Sequence, residues 1–233
     1  MINVEYIINR LKDFAEISRA ERSKVMLPST MKVLGVTAPN VKKIVKECKP
    51  ELKNWSPEKI LEFSKDLVKT KILECNQVAF LMLYEIKDAL KLVGLKDIEQ
   101  LGQNIDNWAS VDTLSVLISG QAWRENQISD NDILNWLKSD NRWWKRTAVV
   151  STVPLNLRAR GGKGDTQRTL LVCEKVIDDR DDMIVKALSW ALRELSKSDK
   201  PAVENFMAKY DSRLAGRVRR EVYTKLKTGR KNG

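Results

Sequence analysis

The chain has 233 residues, 42% hydrophobic and 31% charged, which supports a continuous core with strongly charged outer faces. It contains no histidine and three widely spaced cysteines, Cys48, Cys75 and Cys173, which excludes imidazole acid–base chemistry and argues against zinc sites and a disulfide framework. The net charge of +11 sits wholly in residues 141–233, with 22 Lys and Arg against 11 Asp and Glu, whereas residues 1–140 balance at 20 of each; such one-sidedness favours a polyanionic partner over a merely basic surface.

Helical spacing starts at once, with Val4, Ile7, Ile8 and Leu11 on one face. Met1–Glu5 shows no basic-then-apolar secretory pattern. Pro28, Pro39, Pro50 and Pro57 punctuate the following stretch. Ser56-Pro57-Glu58 reads as an N-cap, a proline at the first helical position and an acidic first turn, ahead of the apolar stripe Ile60, Phe63, Leu67 and Val68. Ser129-Asp130 and Asp140-Asn141 cap two further helices. Pro154–Asp165 (PLNLRARGGKGD) is the longest irregular stretch; it is either a flexible basic loop touching phosphates through Arg158, Arg160 and Lys163 or an ordinary surface loop. Ile184, Ala187, Leu188, Ala191 and Leu195 mark a late helix, and Ser198–Pro201 separates it from the next. Residues 226–233 are expected to fray. No row of alternating Val, Ile and Thr segments suggests a sheet. No apolar run approaches the roughly 18–20 residues of a membrane span, and unpaired thiols fit a reducing compartment, so a cytoplasmic protein with no membrane partner is expected.

A weak repeat underlies this order. Asp106-Asn107-Trp108, Asp140-Asn141-Arg142-Trp143 and Asp181-Asp182-Met183 each open a helix, about 35–40 residues apart, the period of stacked HEAT-type helix pairs. The expected fold is an all-α, HEAT-like solenoid forming one domain over residues 1–233, with a concave basic groove suited to a rod-shaped partner. Trp108 and Asp112 project from one helix face, being four apart. Arg146 follows two tryptophans in the next repeat, and Trp190 lies in the one after. If these helices stack, the four side chains can line one groove. Basic groups on the last helices, Arg193, Lys197, Arg213, Arg217, Arg219 and Arg220, supply general affinity for phosphates.

The stretches DNWASVD, WWKRTAVV and KALSWALRE, together with GVTAPNVKKIVKE, resemble the AlkD-like DNA alkylation repair family of bacterial glycosylases, over roughly residues 15–225. The resemblance implies a helical-repeat fold with double-stranded DNA in its groove, no metal and no cofactor. It implies cationic alkylated purines such as N3-alkyladenine and N7-alkylguanine as substrates. It also implies that Trp108, Asp112, Arg146 and Trp190 act at the lesion, Asp112 beside the sugar and Arg146 on a phosphate. A monomer is expected. Two other readings stay open: a non-enzymatic repeat protein that binds damaged or branched DNA, and a protein-interaction scaffold.

Overall fold

The computed structural model describes residues 1–231. Among the described residues all regular structure is helical, apart from one isolated parallel bridge between Lys32 and Ile72. No helix there is long and apolar enough to cross a membrane. The chain divides into two compact units, Met1–Ile118 and the residues from Ser119 onward.

The first unit begins with α1 (Val4–Lys12), which buries Ile7 and Leu11, and α2 (Ile17–Met26), which buries nothing and leaves Ile17, Val25 and Met26 exposed. α3 (Ala38–Leu52) starts where expected: Thr37 Oγ1 accepts the Asn40 N–H and Pro39 sits in the first turn. Pro50 does not end this helix early; it lies in the last turn, two residues before the final Leu52. α4 (Pro57–Lys69) follows the predicted signals, with Ser56 Oγ accepting the Lys59 N–H and Ile60, Phe63, Leu67 and Val68 buried. α5 (Leu73–Glu85) is buried on nearly every side because α3, α4 and α8 surround it. The unit closes with α6 (Lys87–Leu90), α7 (Leu95–Gly102) and α8 (Trp108–Leu114), which runs into a π-helical turn over Ser115–Ser119.

The GVTAP segment owes its form to one buried carboxylate. Glu74, on α5, accepts the backbone N–H groups of Leu34, Gly35 and Val36. Gly35 has φ +83°, and a Cβ there would stand 2.3 Å from the Glu16 carbonyl oxygen, so only glycine fits.

The second unit comprises α9 (Gly120–Arg124), α10 (Asp130–Leu137), α11 (Arg142–Val150), α12 (Val153–Asn156), α13 (Thr166–Glu174), α14 (Asp182–Leu195), α15 (Lys200–Tyr210) and α16 (Gly216–Thr228). Ser129 and Asp132 form a reciprocal capping box on α10. The repeated Asp-Asn and Asp-Asp signatures prove to be N-caps: Asn107, Asn141 and Asp181 accept from Ser110, Trp143 and Met183. α14 is the centre of the unit, packed along both α11 and α16. Its apolar positions Ile184, Ala187, Leu188, Ala191 and Leu195 are all buried, as their spacing predicts.

The expected irregular stretch 154–165 is instead built from short turns. α12 extends through Asn156 and a 3-10 turn covers Arg158–Arg160. Gly162 and Gly164 donate to the Leu157 and Leu155 carbonyls, and Asn156 bridges Asp165 to Thr169. A Cβ on Gly162 would approach the Pro154 carbonyl oxygen to 2.5 Å. Turns of three or four residues leave no periodicity in the sequence. At the other end, α16 continues through Thr228 and closes at the left-handed Gly229, past the expected start of fraying at 226; residues 232–233 of that tail lie outside the described residues.

Candidate functional site

Within the first unit, Trp108 opens α8 and Asp112 follows one turn later, so the two Cβ atoms lie about 5–6 Å apart on one face. Trp108 is 39% exposed, the most accessible tryptophan of those described, and Asp112 is half-buried. Trp108 has no ring or hydrogen-bond partner for its side chain among the described residues. Its aim therefore depends on the backbone turn beneath it. That turn is capped by Asn107, whose Oδ1 accepts the Ser110 N–H at 2.9 Å. Ala109 packs on the cluster Leu27, Met31, Val33 and Leu73.

Within the second unit, Arg146 is only 5% exposed, and its guanidinium donates to the Met183 carbonyl in the first turn of α14. Trp190 lies half-buried on that same helix, seven residues or about 10 Å farther along the axis. Met183, Lys186, Trp190 and Arg193 share one stripe of α14 by their spacing. The structure thus ties Arg146 to the first turn of the helix that carries Trp190. Of the neighbouring tryptophans, Trp144 stacks on Trp136 with centroids 5.1 Å apart, and Trp143 lies under Arg142.

The predicted phosphate contacts divide sharply. Arg158, Lys163 and Arg220 are exposed and have no ion-pair partner among the described residues. Arg160 is half-buried. The others are engaged. The Arg193 side chain is 15% exposed and lies against Ser189 and Glu221; its pKa is lowered, chiefly by burial. Lys197 pairs with Glu194 at 2.7 Å, and Arg213 holds Asp178 with two hydrogen bonds. Arg217 bridges Asp182 and Glu221, while Arg219 stands 3.5 Å from Asp211.

Sequence reasoning missed three structural carboxylates around these elements. Asp106 receives hydrogen bonds from Ser29 and Thr30. Asp181 pairs with Arg142 at 2.6 Å as well as capping α14. Glu221 accepts from Ser189 at 2.7 Å and from Arg217 at 3.0 Å. In Glu221 burial raises the pKa, but the Ser189 and Arg217 hydrogen bonds prevail and hold it below the usual carboxylate range. Only the capping role of Asp181 had a local signal. Two open clefts of this unit have other linings, one formed by residues 126–132 with Arg168, the other by Arg124, Gly161, Lys163, Gly164 and Asp165 among others. Of the predicted residues only Lys163 lines either. No group of three or more Asp, Glu, Cys or His among the described residues is placed to hold a metal ion.

Three comparisons bear on this arrangement. No curated protein matches the chain. A solved structure described as a "predicted DNA alkylation repair enzyme from Enterococcus faecalis" matches with a TM-score of 0.71 and 17% identity, over 92% of this chain and 97% of that one. At that identity the likeness concerns the fold, which is an all-α helical repeat. A family model described as "DNA alkylation repair enzyme" matches residues 7–226. With nearly its whole length covered, the chain belongs to the DNA alkylation repair enzyme family.

Proposed function

We propose that the protein is a monofunctional DNA glycosylase that hydrolyses the N-glycosidic bond of cationic alkylated purines, N3-alkyladenine and N7-alkylguanine, in duplex DNA. The observation that carries the reading is α8, where an accessible indole and a carboxylate share one face in a member of a DNA alkylation repair family. A protein that only binds a polyanion gains nothing from a carboxylate beside an exposed tryptophan. In this reading it works as a cytoplasmic monomer, and its HEAT-like helix pairs in the second unit offer a basic face to DNA.

The chemistry follows from the lesion. Alkylation at N3 or N7 makes the base cationic, so the C1′–N bond breaks with its electron pair going to the base, which leaves neutral. No general acid and no metal are needed for that departure. Positive charge builds on the sugar instead, and water then adds at C1′ and loses a proton. Asp112 stabilises the oxocarbenium-like sugar and orients the water. Trp108 and Trp190 offer π faces to the cationic base and sugar, contributing about 0.5–2 kcal/mol each. Arg146 fixes a phosphate near the lesion. Arg158, Lys163 and Arg220, exposed and without an ion-pair partner among the described residues, supply affinity for the backbone first; Arg160, Arg193, Lys197, Arg213 and Arg217 add to it where DNA displaces their present contacts.

Release of free 7-methylguanine from methylated duplex DNA tests the reading. The wild-type protein is expected to release it, and Asp112→Asn to do so roughly 100- to 1,000-fold more slowly while still binding DNA. Wild-type protein that binds such DNA and releases no base would leave the alternative, a non-enzymatic repeat protein for damaged or branched DNA.

A further inference from the structure

One carboxylate ties the start of α8 to a segment 76 residues earlier in the chain. Asp106 stands just before the N-cap Asn107. It accepts from Ser29 Oγ, from the Thr30 N–H at 2.5 Å and from Thr30 Oγ1 at 2.7 Å. Asn107 extends the knot: its Nδ2 donates to Ser29 Oγ at 3.3 Å and reaches Met31 Sδ at 3.5 Å. Capping does not account for Asp106, because Asn107 already caps the helix. Ion pairing does not account for it either, since no Lys or Arg pairs with it among the described residues. Burial works against its charge, yet the hydrogen bonds from Ser29, Thr30 and Asn107 hold its pKa below the usual carboxylate range.

The segment it grips is anchored in turn. Lys32 exchanges backbone hydrogen bonds with Lys71 and Leu73, and Glu74 holds the Leu34, Gly35 and Val36 N–H groups. The first turn of α8 is therefore referenced to the buried α5 through this strap. Trp108 stands on that turn with no hydrogen-bond or ring partner for its side chain among the described residues, so the turn is the hydrogen-bonded base from which the indole projects.

We propose that Asp106 is a positioning residue that sets the aim of Trp108 and, one turn on, Asp112, by clasping Ser29 and Thr30 to the start of α8. The proposal rests on the glycosylase reading for its kinetic consequence, and on geometry alone for its structural one.

Two readouts on the full chain separate these. Protein labelled with 5-fluorotryptophan gives one 19F resonance for each of the seven tryptophans, and Trp108→Phe identifies the one from Trp108. Asp106→Ala is expected to move or broaden the Trp108 resonance and leave the other six in place. Ser29→Ala with Thr30→Val, at the far end of the clasp, is expected to do the same, and it carries the test if Asp106→Ala folds poorly. Single-turnover release of 7-methylguanine should fall about 10- to 100-fold in either variant, with DNA affinity unchanged. Combining the variants should add little, because both break one interaction. An unmoved Trp108 resonance, or all seven moving together with a general loss of stability, would overturn the proposal. So would unchanged base release alongside a displaced Trp108. If the wild-type protein releases no base, the glycosylase reading fails and the Trp108 resonance alone decides the clasp.

Discussion

The two units carry their positive charge in opposite styles. Residues 1–118 hold 18 basic groups, 15 of them lysine, against 16 acidic ones, whereas the remainder holds 24, of which 13 are arginine, against 15. Lysine is a solvated point charge on a flexible stem; arginine is a rigid fork that can satisfy carbonyls and carboxylates inside a fold. The second unit uses its forks in that way. Arg124 donates to the Arg160 carbonyl, Arg146 to that of Met183, Arg168 to that of Trp123 and Arg180 to that of Arg213. Much of the excess charge counted from the sequence is thus structural. Charge counted and charge available to a partner are different quantities, and the units differ most in the gap between them.

Acid should separate the units most clearly. In the second, Asp178, Asp181, Asp182, Asp199 and Glu221 all have lowered pKa values. The causes are the Arg213 hydrogen bond for Asp178, the Lys186 hydrogen bond for Asp182 and the Thr166 hydroxyl for Asp199, while Asp181 and Glu221 overcome burial through Arg142 and Ser189. In the first unit Asp106 behaves in the same way. A carboxylate whose folded pKa lies below its unfolded value contributes stability that is complete above the unfolded value, near pH 4, and is lost as the pH falls toward the folded one. Amides of α14 and α16 should therefore lose hydrogen-exchange protection between about pH 4 and pH 2, before those of α4 and α5. Simultaneous loss in both units, or earlier loss in the first, would refute the contrast.

A smaller effect tests whether Arg146 is structural as well as proposed to reach DNA. Arg146→Met keeps the aliphatic stem and removes the guanidinium's buried hydrogen bond to the Met183 carbonyl. The expected cost is about 1–3 kcal/mol, read as a lower denaturation midpoint with an unchanged slope. Arg158→Met is the matched comparison: that side chain is exposed, and its loss should leave the midpoint where it was. Equal midpoints for the two variants would mean that the buried fork contributes nothing.

These contrasts also mark where sequence reading stops. Helix starts were legible because an N-cap and the N–H it serves lie two or three residues apart, as at Ser56, Asn141 and Asp181. The pairing of Trp108 with Asp112 was legible for the same reason. The Asp106 clasp spans 76 residues and the Arg146 contact 37, and nothing local announces either. Arg146 illustrates the difficulty, since an arginine after two tryptophans reads equally well as a surface cation and as a buried tie. The sequence leaves 154–165 open between a flexible basic loop and an ordinary surface loop, and no local pattern shows that close backbone contact requires Gly162.

The smallest expected effect bears on available charge directly. If Arg158, Lys163 and Arg220 meet phosphates, each substitution by alanine should make the log–log salt dependence of duplex binding shallower by about 0.9. Arg193→Met should change that slope little, because Arg193 is largely buried against Ser189 and Glu221 and releases no counterion from DNA unless that contact opens. Arg213 is the intermediate case: exposed, but already neutralised by Asp178, so its removal frees an acid and should weaken binding at low salt more than its own contact would. Binding isotherms at several salt concentrations give the ordering. Should Arg193→Met flatten the dependence as much as Arg158→Ala does, internal pairing would be no guide to which cations reach DNA, and the charge count alone would have been the better predictor.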